Sequence, residues 1–192
     1  MQALRGRLYL KDGAIEPWQL TDGRHRAAID RGSWHLLVLD RDERVCGCAR
    51  YREYSNDTVF SQLSVSSSTL ARCKEWGGRL KAAVDSELAV AQTLELPFVE
   101  LGGWALTETI RGTVEALRMA LTTYALSQAL GGGVGISTVT RRHCSASILA
   151  RIGGRSLEHD GSEIPSYHDE QYKCEMEVLR FSSWAPNPRY KI

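Results

Sequence analysis

The segment spanning residues 97–154 constrains the fold most, because strand-like and helical patterns alternate in it between clear stops. The order is strand, loop, helix, strand and helix, over residues 97–106, 107–112, 113–130, 134–141 and 143–152. Three consecutive glycines, Gly131 to Gly133, end the first helix, and Gly153 ends the second. A strand–helix–strand unit of this kind predicts two neighbouring parallel strands joined by a crossover helix.

Strand and helix patterns also flank this segment. Residues 34–39 and 45–51 predict a β-hairpin around a charged turn. Residues 174–181 largely alternate apolar and charged side chains, as a half-buried strand does. Residues 67–95 are mostly helical in character, because apolar side chains recur there mostly at three- or four-residue steps.

Three further segments give weaker patterns. We expect a strand, a turn and a returning strand over residues 1–20, a short helix over 22–31 and a third strand over 59–65. The chain is therefore expected to form one mixed α/β (α+β) domain over residues 1–192.

The composition limits the classes of function. Of the 192 residues, 43% are hydrophobic and 24% are charged, which suits one globular domain with a sizeable core. A net charge of +1 gives no field that favours nucleic acid, so we expect no nucleic-acid partner. We find no signal peptide and no apolar run near the ~20 residues that span a bilayer. The five cysteines suit free thiols, so we expect a cytoplasmic protein; the histidines lack metal-ligand spacing, so no metal is expected.

The loop before the long helix has the features of a phosphate-binding turn. A helix N-terminus presents unpaired N–H groups and the positive end of the helix dipole, and a phosphate can bind there. Arg111 adds a full positive charge, Gly112 lets a ligand approach the backbone, and Thr113 offers a hydroxyl. The residues alone also fit an ordinary helix start with a solvated arginine, because neither G-x-G-x-x-G nor the P-loop spacing is present.

This segment resembles the acyl-CoA-binding motif of GNAT acyltransferases, in which a strand is followed by R/Q-x-x-G-x-G/A and a helix of about this length. Arg111 and Ala116 match the ends of that motif, while Val114 stands where the family usually has glycine. The order that follows, of glycine stop, strand, helix and Gly153, also matches. The resemblance implies a GNAT-like acyl-CoA N-acyltransferase fold, with a mixed central sheet flanked by helices.

Within this superfamily the resemblance is strongest to N-acyl homoserine lactone (autoinducer) synthases and long-chain N-acyl amino acid synthases. The hairpin LVLDRDERVCGCARYREY resembles their D-x-x-G-x-x-x-G-x-x-R strands, with Asp40, Gly47 and Arg50 matching and Glu43 replacing the turn glycine. The late strand YKCEMEVLRF also resembles theirs.

A second strand carries the same resemblance. The run Glu100-Leu101-Gly102-Gly103-Trp104-Ala105 resembles their E-[LI]-[SG]-R-[FW]-[AC] strand. Glu100 and Trp104 match, whereas Gly103 stands where the family usually has arginine. Two adjacent glycines in a strand also indicate a bulge or a close approach by a ligand.

The resemblance implies a set of site residues. The acyl donor would be acyl-CoA or the phosphopantetheine thioester of an acyl carrier protein, and the acceptor a small-molecule amine. The donor-binding residues would be Gly102, Gly103, Trp104 and Leu106 for the pantetheine arm, and Arg111, Gly112, Thr113 and Val114 for the pyrophosphate.

Glu100 is the candidate general base, because its strand leads directly to the phosphate loop and a base must take a proton from the attacking ammonium. Its residue type and position also fit a purely structural ion pair with an arginine such as Arg50. Many GNAT enzymes place a tyrosine on the last helix to protonate the leaving thiolate, but Leu149 occupies that position here. Either the thiolate leaves unassisted, or another group such as Ser145 or Tyr167 takes this role.

The resemblance predicts an N-acyltransferase that works by direct attack of an amine, such as an amino acid or a derivative, on the thioester. The alternative is a catalytically silent GNAT-like domain that binds acyl thioesters as a sensor or scaffold, which the departures at positions 103, 114 and 149 favour. A third option is an enzyme that acetylates a small amine or a protein N-terminus. The oligomeric state is left open, with a dimer as one option.

Overall fold

The computed structural model describes residues 1–190, and residues 191 and 192, the last two of the predicted domain, lie outside the described residues. The helices are α1 (Gln2–Lys11), α2 (Thr69–Arg72), α3 (Gly77–Thr93), α4 (Val114–Ala129) and α5 (Ser145–Ile152). The strands are β1 (Trp34–Leu39), β2 (Val45–Tyr54), β3 (Phe98–Leu106), β4 (Val134–Thr140), β5 (Arg155–Ser156), β6 (Glu158–His159), β7 (Ser162–Glu163), β8 (Tyr167–Asp169) and β9 (Cys174–Ser182).

Seven of these strands form one mixed sheet. Its order is β1-β2-β3-β4-β9-β5, and β8 pairs with the other end of β9. Strands β3 and β4 run parallel, whereas the other neighbours in this sheet are antiparallel. Strands β6 and β7 form a separate two-stranded hairpin. The mixed sheet with flanking helices and the parallel pair joined by α4 are as predicted.

An apolar cluster covers each face of the sheet. Helix α3 packs on one face, in a cluster that includes Leu80, Val84, Phe98, Ile136 and Val178. Helices α4 and α5 pack on the other, in a cluster that includes Val99, Ala120, Tyr124, Leu149 and Ile152. Since successive strand residues point to opposite faces, the neighbours Phe98 and Val99 belong to different clusters. Within residues 1–190 no helix is long and apolar enough to cross a membrane.

The prediction of a strand in residues 1–20 is wrong, because residues 2–11 form the helix α1. Its buried residues include Leu4 and Leu8, which lie one helical turn apart and therefore face the core together. They pack with Cys48 and Ala105, so the contact is with distant strands.

Two other local predictions are also wrong. Residues 22–31 form turns and a single 3₁₀ turn at Ala28–Asp30, because Asp22 and Gly23 take positive φ values of 52° and 69°, which a helix does not permit. Residues 59–65 belong to two 3₁₀ turns, Phe60–Gln62 and Ser64–Ser67, and do not add a third strand. Backbone amides of the Ser64–Ser67 turn donate hydrogen bonds to a carboxylate of β3, and these bonds take the place of pairing with another strand.

Candidate active site

The parallel strands β3 and β4 separate halfway along their length. Their pairing runs from Phe98 opposite Val134 to Leu101 opposite Ser137, where the Ser137 hydroxyl donates to the Leu101 carbonyl at 3.2 Å. Beyond this point β3 continues to Leu106 and β4 continues without pairing to it. The two strands therefore leave a wedge-shaped gap in the middle of the sheet.

A β-bulge at Gly103 accompanies the separation. The register between β2 and β3 shifts between Cys48 and Arg50, and Gly103 has a φ of +61°, in the left-handed region that favours glycine. A Cβ at position 103 would lie 3.2 Å from both Arg5 Nη1 and Arg50 Cβ. Bulges bend a strand and redirect its side chains, so this one turns β3 away from β4.

A cavity of about 890 Å³ lies in and beside the gap. It is lined from both strands, by residues 102–106 of β3 and 138–140 of β4. The residues predicted for the site that line it are Glu100, Gly102, Gly103, Trp104, Leu106, Arg111 and Gly112. Thr113 and Val114 are not among its lining residues in the described chain. The structure thus brings the candidate base and most of the predicted donor-binding residues to one cavity.

The turn before α4 leaves space at its glycine. Gly112 has a φ of +77°, and a Cβ built on it would have no heavy atom within 4 Å. Thr113 is the N-cap of α4: its hydroxyl accepts from the Glu115 amide at 3.2 Å and donates to the Ile110 carbonyl at 2.7 Å. The hydroxyl that the sequence offered to a phosphate is therefore used in capping the helix.

Val114, which stands where the related motif has glycine, is 61% exposed and is the first residue of α4. The Val114 side chain does not line the cavity, so a valine in place of glycine at this position does not fill the space at Gly112.

Charged side chains cross the mouth of the gap. Arg111 Nη2 lies 3.3 Å from the Leu106 carbonyl and 3.4 Å from Asp12 Oδ2, and the same Asp12 oxygen lies 2.9 Å from His143 Nε2. Lys11 forms an exposed ion pair with Glu108. The end of α1 thus ties the β3–α4 loop to the β4–α5 loop, a connection that the sequence did not indicate.

Glu100 is 5% exposed and its carboxylate accepts three hydrogen bonds. They come from the Tyr54 hydroxyl at 2.5 Å, the Ser64 amide at 2.9 Å and the Val65 amide at 3.1 Å. A carboxylate has about four acceptor sites, so one remains. The alternative of an ion pair between Glu100 and Arg50 does not occur in the structure, since Arg50 lies within 4.0 Å of Asp30 and not of Glu100.

A buried ionic cluster beside Gly103 was missed by the sequence analysis. Arg5 binds Asp30 through two hydrogen bonds, of 3.0 and 2.5 Å, and donates to His25 Nδ1 at 3.2 Å. Burial alone would raise the pKa of Asp30, but the hydrogen bonds and charge of Arg5 outweigh it and hold that pKa well below its usual range. Burial and then the charge of Arg5 lower the pKa of His25, which is therefore neutral at pH 7. The feature of the sequence that could have indicated this cluster was the arginine between the two core leucines of α1.

The two candidates for protonating the leaving thiolate, Ser145 and Tyr167, both line the cavity. Tyr167 is buried and its hydroxyl has no hydrogen-bond partner among residues 1–190. Burial, and then the negative charge of Asp169, raise the pKa of Tyr167, so its phenol is a weaker acid than that of an exposed tyrosine. Leu149, at the position where many GNAT enzymes have tyrosine, is buried in the core between sheet and helices.

A mixed sheet whose central parallel strands separate at a bulge, with a helix N-terminus beside the gap, is the fold of the GNAT acyltransferases that the sequence resembles. No protein-family model matches the sequence, and no curated protein sequence matches it. The similarity is therefore visible in structure.

Solved acyltransferases share this fold over most of the chain. The N-acyl amino acid synthase FeeM from uncultured soil microbes gives a TM-score of 0.60 at 11% identity, covering 94% of this chain and 81% of FeeM. The CoA-dependent acyl-homoserine lactone synthase BjaI, with SAM and isopentyl-CoA, gives 0.63 at 14% identity, covering 98% and 75%. Arylalkylamine N-acetyltransferase 2 from Aedes aegypti gives 0.56 at 13% identity, covering 93% and 90%. These similarities confirm the predicted fold and its likeness to the two synthase groups.

Proposed function

We propose that this protein is an N-acyltransferase that moves an acyl group from a phosphopantetheine thioester to a small-molecule amine by direct attack. The observation that carries the proposal is the single cavity that joins the gap between β3 and β4 to the open turn at Gly112. Such a cavity accommodates an extended donor, with its arm in the gap and its phosphate at the turn. The donor is acyl-CoA or an acyl carrier protein.

The donor-binding residues follow from this placement. The phosphate lies at the N-terminus of α4, where Arg111 supplies the charge and the bare Gly112 backbone allows close approach. Residues 102–106 of β3 do not pair with β4, so their backbone N–H and C=O groups on that side are available to hydrogen-bond with pantetheine amides. Thr113 acts by fixing the helix start.

The chemical step has three parts. Glu100 takes a proton from the acceptor ammonium, directly or through one water, and the free amine attacks the thioester carbon. Backbone N–H groups at the bulge stabilise the oxyanion, after which the C–N bond is kept and the C–S bond breaks. As the C–S bond breaks, the nitrogen, which is positively charged after the attack, releases its second proton, and this proton reaches the thiolate with the hydroxyl of Tyr167 or Ser145 as a relay.

The cavity supports an acyl group longer than acetyl. Its volume of about 890 Å³ is near the upper end of the range for ligand pockets, and Ile148, Val139 and Trp104 supply apolar lining. BjaI was solved with isopentyl-CoA, whose acyl group is longer than acetyl, which favours a donor longer than acetyl-CoA over the purely acetylating alternative.

A thiol-release assay tests the proposal. The protein is incubated with acetyl-, hexanoyl- or dodecanoyl-CoA, or with dodecanoyl-acyl carrier protein, and a pool of amino acids and amines, and N-acyl products are identified by mass spectrometry. We expect free thiol and N-acyl product in equal amounts. Thioester binding without product would support the sensor or scaffold alternative, and the absence of both would refute the donor site.

A further inference from the structure

Strand β1 is the outermost strand of the mixed sheet and pairs with a neighbour on one side only within residues 1–190. None of its six residues is buried. Three of the ten large apolar side chains that are exposed in the described chain lie on it, namely Trp34 at 52%, Leu37 at 47% and Leu39 at 52%. The free edge of the sheet therefore combines backbone groups that lack a strand partner with exposed apolar side chains.

Strand β1 also lacks the features that keep edge strands from pairing. Natural edge strands are usually very short, or carry lysine, proline or a bulge. The sequence of β1, WHLLVL, contains no lysine, arginine, acid or proline. The irregularity in its pairing with β2 falls between Val38 and Leu39, so residues 34–38 keep a regular strand. This edge is therefore able to accept another strand.

The opposite side of the sheet is protected. Strands β5 and β8 have two and three residues and pair with opposite ends of β9. Strands this short offer few backbone groups to a partner. The sheet can therefore be extended at β1 but not at its other side, so an assembly through β1 closes at two copies.

The two ends of β1 differ in charge. At its start lie Arg31 and Arg52, neither of which forms an ion pair in the described chain, and Arg52 donates to two carbonyls of the turn that precedes β1. At its end, residues 40–44 hold three acids and two arginines, a net charge of −1. Arg44 pairs with two of these acids, which leaves Glu43 without an ion pair in residues 1–190. The strand is thus positive at its start and negative at its end.

We propose that β1 pairs antiparallel with β1 of a second copy of this chain, so that the protein forms a twofold dimer with one continuous sheet. Antiparallel pairing places the positive end of each strand beside the negative end of the other, whereas parallel pairing would place like charges together. A twofold axis perpendicular to the sheet keeps each face on its own side, so a residue on the axis meets its own counterpart. Leu37, in the middle of the strand, is the exposed apolar residue that takes this position.

The dimer is independent of the proposed acyltransferase function. No residue of β1 lines the cavity between β3 and β4, so pairing at this edge leaves the cavity open. A single pair of strands buries less surface than a standard protein interface, so the dimer is expected to be weak and to dissociate on dilution.

The wild-type protein provides the first test. Sedimentation velocity over a hundredfold range of concentration, up to about 0.5 mM, is expected to show a monomer–dimer equilibrium. Hydrogen exchange measured at both ends of this range is expected to slow at the β1 amides in the dimer, because these amides gain hydrogen-bond partners.

A pair of charge reversals tests the antiparallel arrangement. Arg31→Glu and Glu43→Arg, each alone, place like charges at both ends of the strand pair and are expected to weaken dimerisation by about tenfold at low salt. An equimolar mixture of the two variants is expected to dimerise as the wild type does, because each end of the mixed dimer again joins opposite charges. Failure of the mixture to recover would exclude antiparallel pairing of β1.

Leu37→Lys and Val90→Lys form a matched pair. Val90 lies on α3 and is 44% exposed, close to the 47% of Leu37. Lysine on an edge strand opposes pairing, so Leu37→Lys is expected to stay monomeric, while Val90→Lys keeps the association of the wild type. Circular dichroism checks that both variants are folded, and equal association of the two would contradict the proposed interface.

Three results on the wild type alone would overturn the inference. One is a monomer at every concentration, and another is growth beyond the dimer, since the protected side of the sheet predicts closure. The third is a dimer whose β1 amides exchange as fast as those of the monomer, which would place the interface elsewhere. These measurements decide the matter even where a variant does not fold.

Discussion

Replacing Glu100 by glutamine separates the two roles that this carboxylate can have, general base and structural anchor. Glutamine has one acceptor oxygen and one donor nitrogen in place of two oxygens. With its nitrogen toward the Val65 amide, it loses one hydrogen bond and leaves a buried donor unsatisfied, which costs about 1–3 kcal/mol. The bonds from Tyr54 and Ser64 become neutral, which costs about 1 kcal/mol more.

The expected loss of stability in Glu100→Gln is therefore about 3 kcal/mol. For a domain of this size, that corresponds to a fall in Tm of about 6–12 °C, measurable by differential scanning calorimetry. If Glu100 is the general base, kcat falls in addition by about a hundredfold to ten-thousandfold, below the Tm of the variant.

Tyr54→Phe is the matched control for this experiment. It removes one hydrogen bond to the same carboxylate, at a cost of about 2 kcal/mol, but leaves the carboxylate in place. We expect it to lose stability comparably while keeping most of its turnover. An equal loss of kcat in the two variants would refute the assignment of Glu100 as base and leave it only the role of anchoring the 3₁₀ segment.

Three other substitutions test the fold and the donor site. Asp30→Asn breaks a buried ion pair and is expected to cost about 3–5 kcal/mol in urea unfolding at pH 7. The folded pKa of Asp30 lies below its unfolded value of about 3.9, so the stabilisation from Asp30 is present above that pH and is lost as the pH falls further. The difference in unfolding free energy between variant and wild type should therefore shrink in acid. A difference that stays constant with pH would contradict the pKa argument. Gly135→Ala places a Cβ against the backbone carbonyl of Val99 in the β3–β4 pair and should yield little folded protein; normal circular dichroism and Tm would show that the strands can separate further. Asp12→Asn removes the carboxylate that competes for Arg111 and should tighten CoA binding by about two- to fivefold in calorimetry, an effect that weakens with salt; unchanged affinity would place the phosphate elsewhere.

The central part of the fold was predictable because its signals are local. Residues 97–106 and 134–141 were expected as strands and form β3 and β4 within one residue at each end. The helix expected at 113–130 is α4, and it begins at the cap that its Thr113 provides. Apolar periodicity and glycine stops depend only on neighbouring residues, so a single sequence carries them.

The N-terminal region was not predictable in the same way, because distant partners decide its structure. Helix α1 is held by Leu4 and Leu8 against strands and by Arg5 against Asp30, which is 25 residues away. The partners of Glu100 are a further case, since the sequence offered Arg50 and the structure supplies Tyr54 and the turn at Ser64. In both cases the hydrogen-bond partners of a side chain lie in a segment whose own sequence pattern is weak.

Gly103 shows that another segment of the chain can place a charged group where a motif residue is missing. The synthases that the sequence resembles usually have arginine there, whereas this chain has a glycine with a φ of +61°, a backbone conformation that would be strained by about 1–2 kcal/mol if a side chain were present. The guanidinium of Arg5 comes from α1 and lies 3.2 Å from the point where a side chain at position 103 would begin. A cation is therefore present beside the bulge although the strand does not encode it, and the glycine is what makes room for it. Because Arg5 is held by Asp30, helix α1 and the following loop are structural parts of the region around the bulge, and a motif comparison confined to β3 would miss this cation.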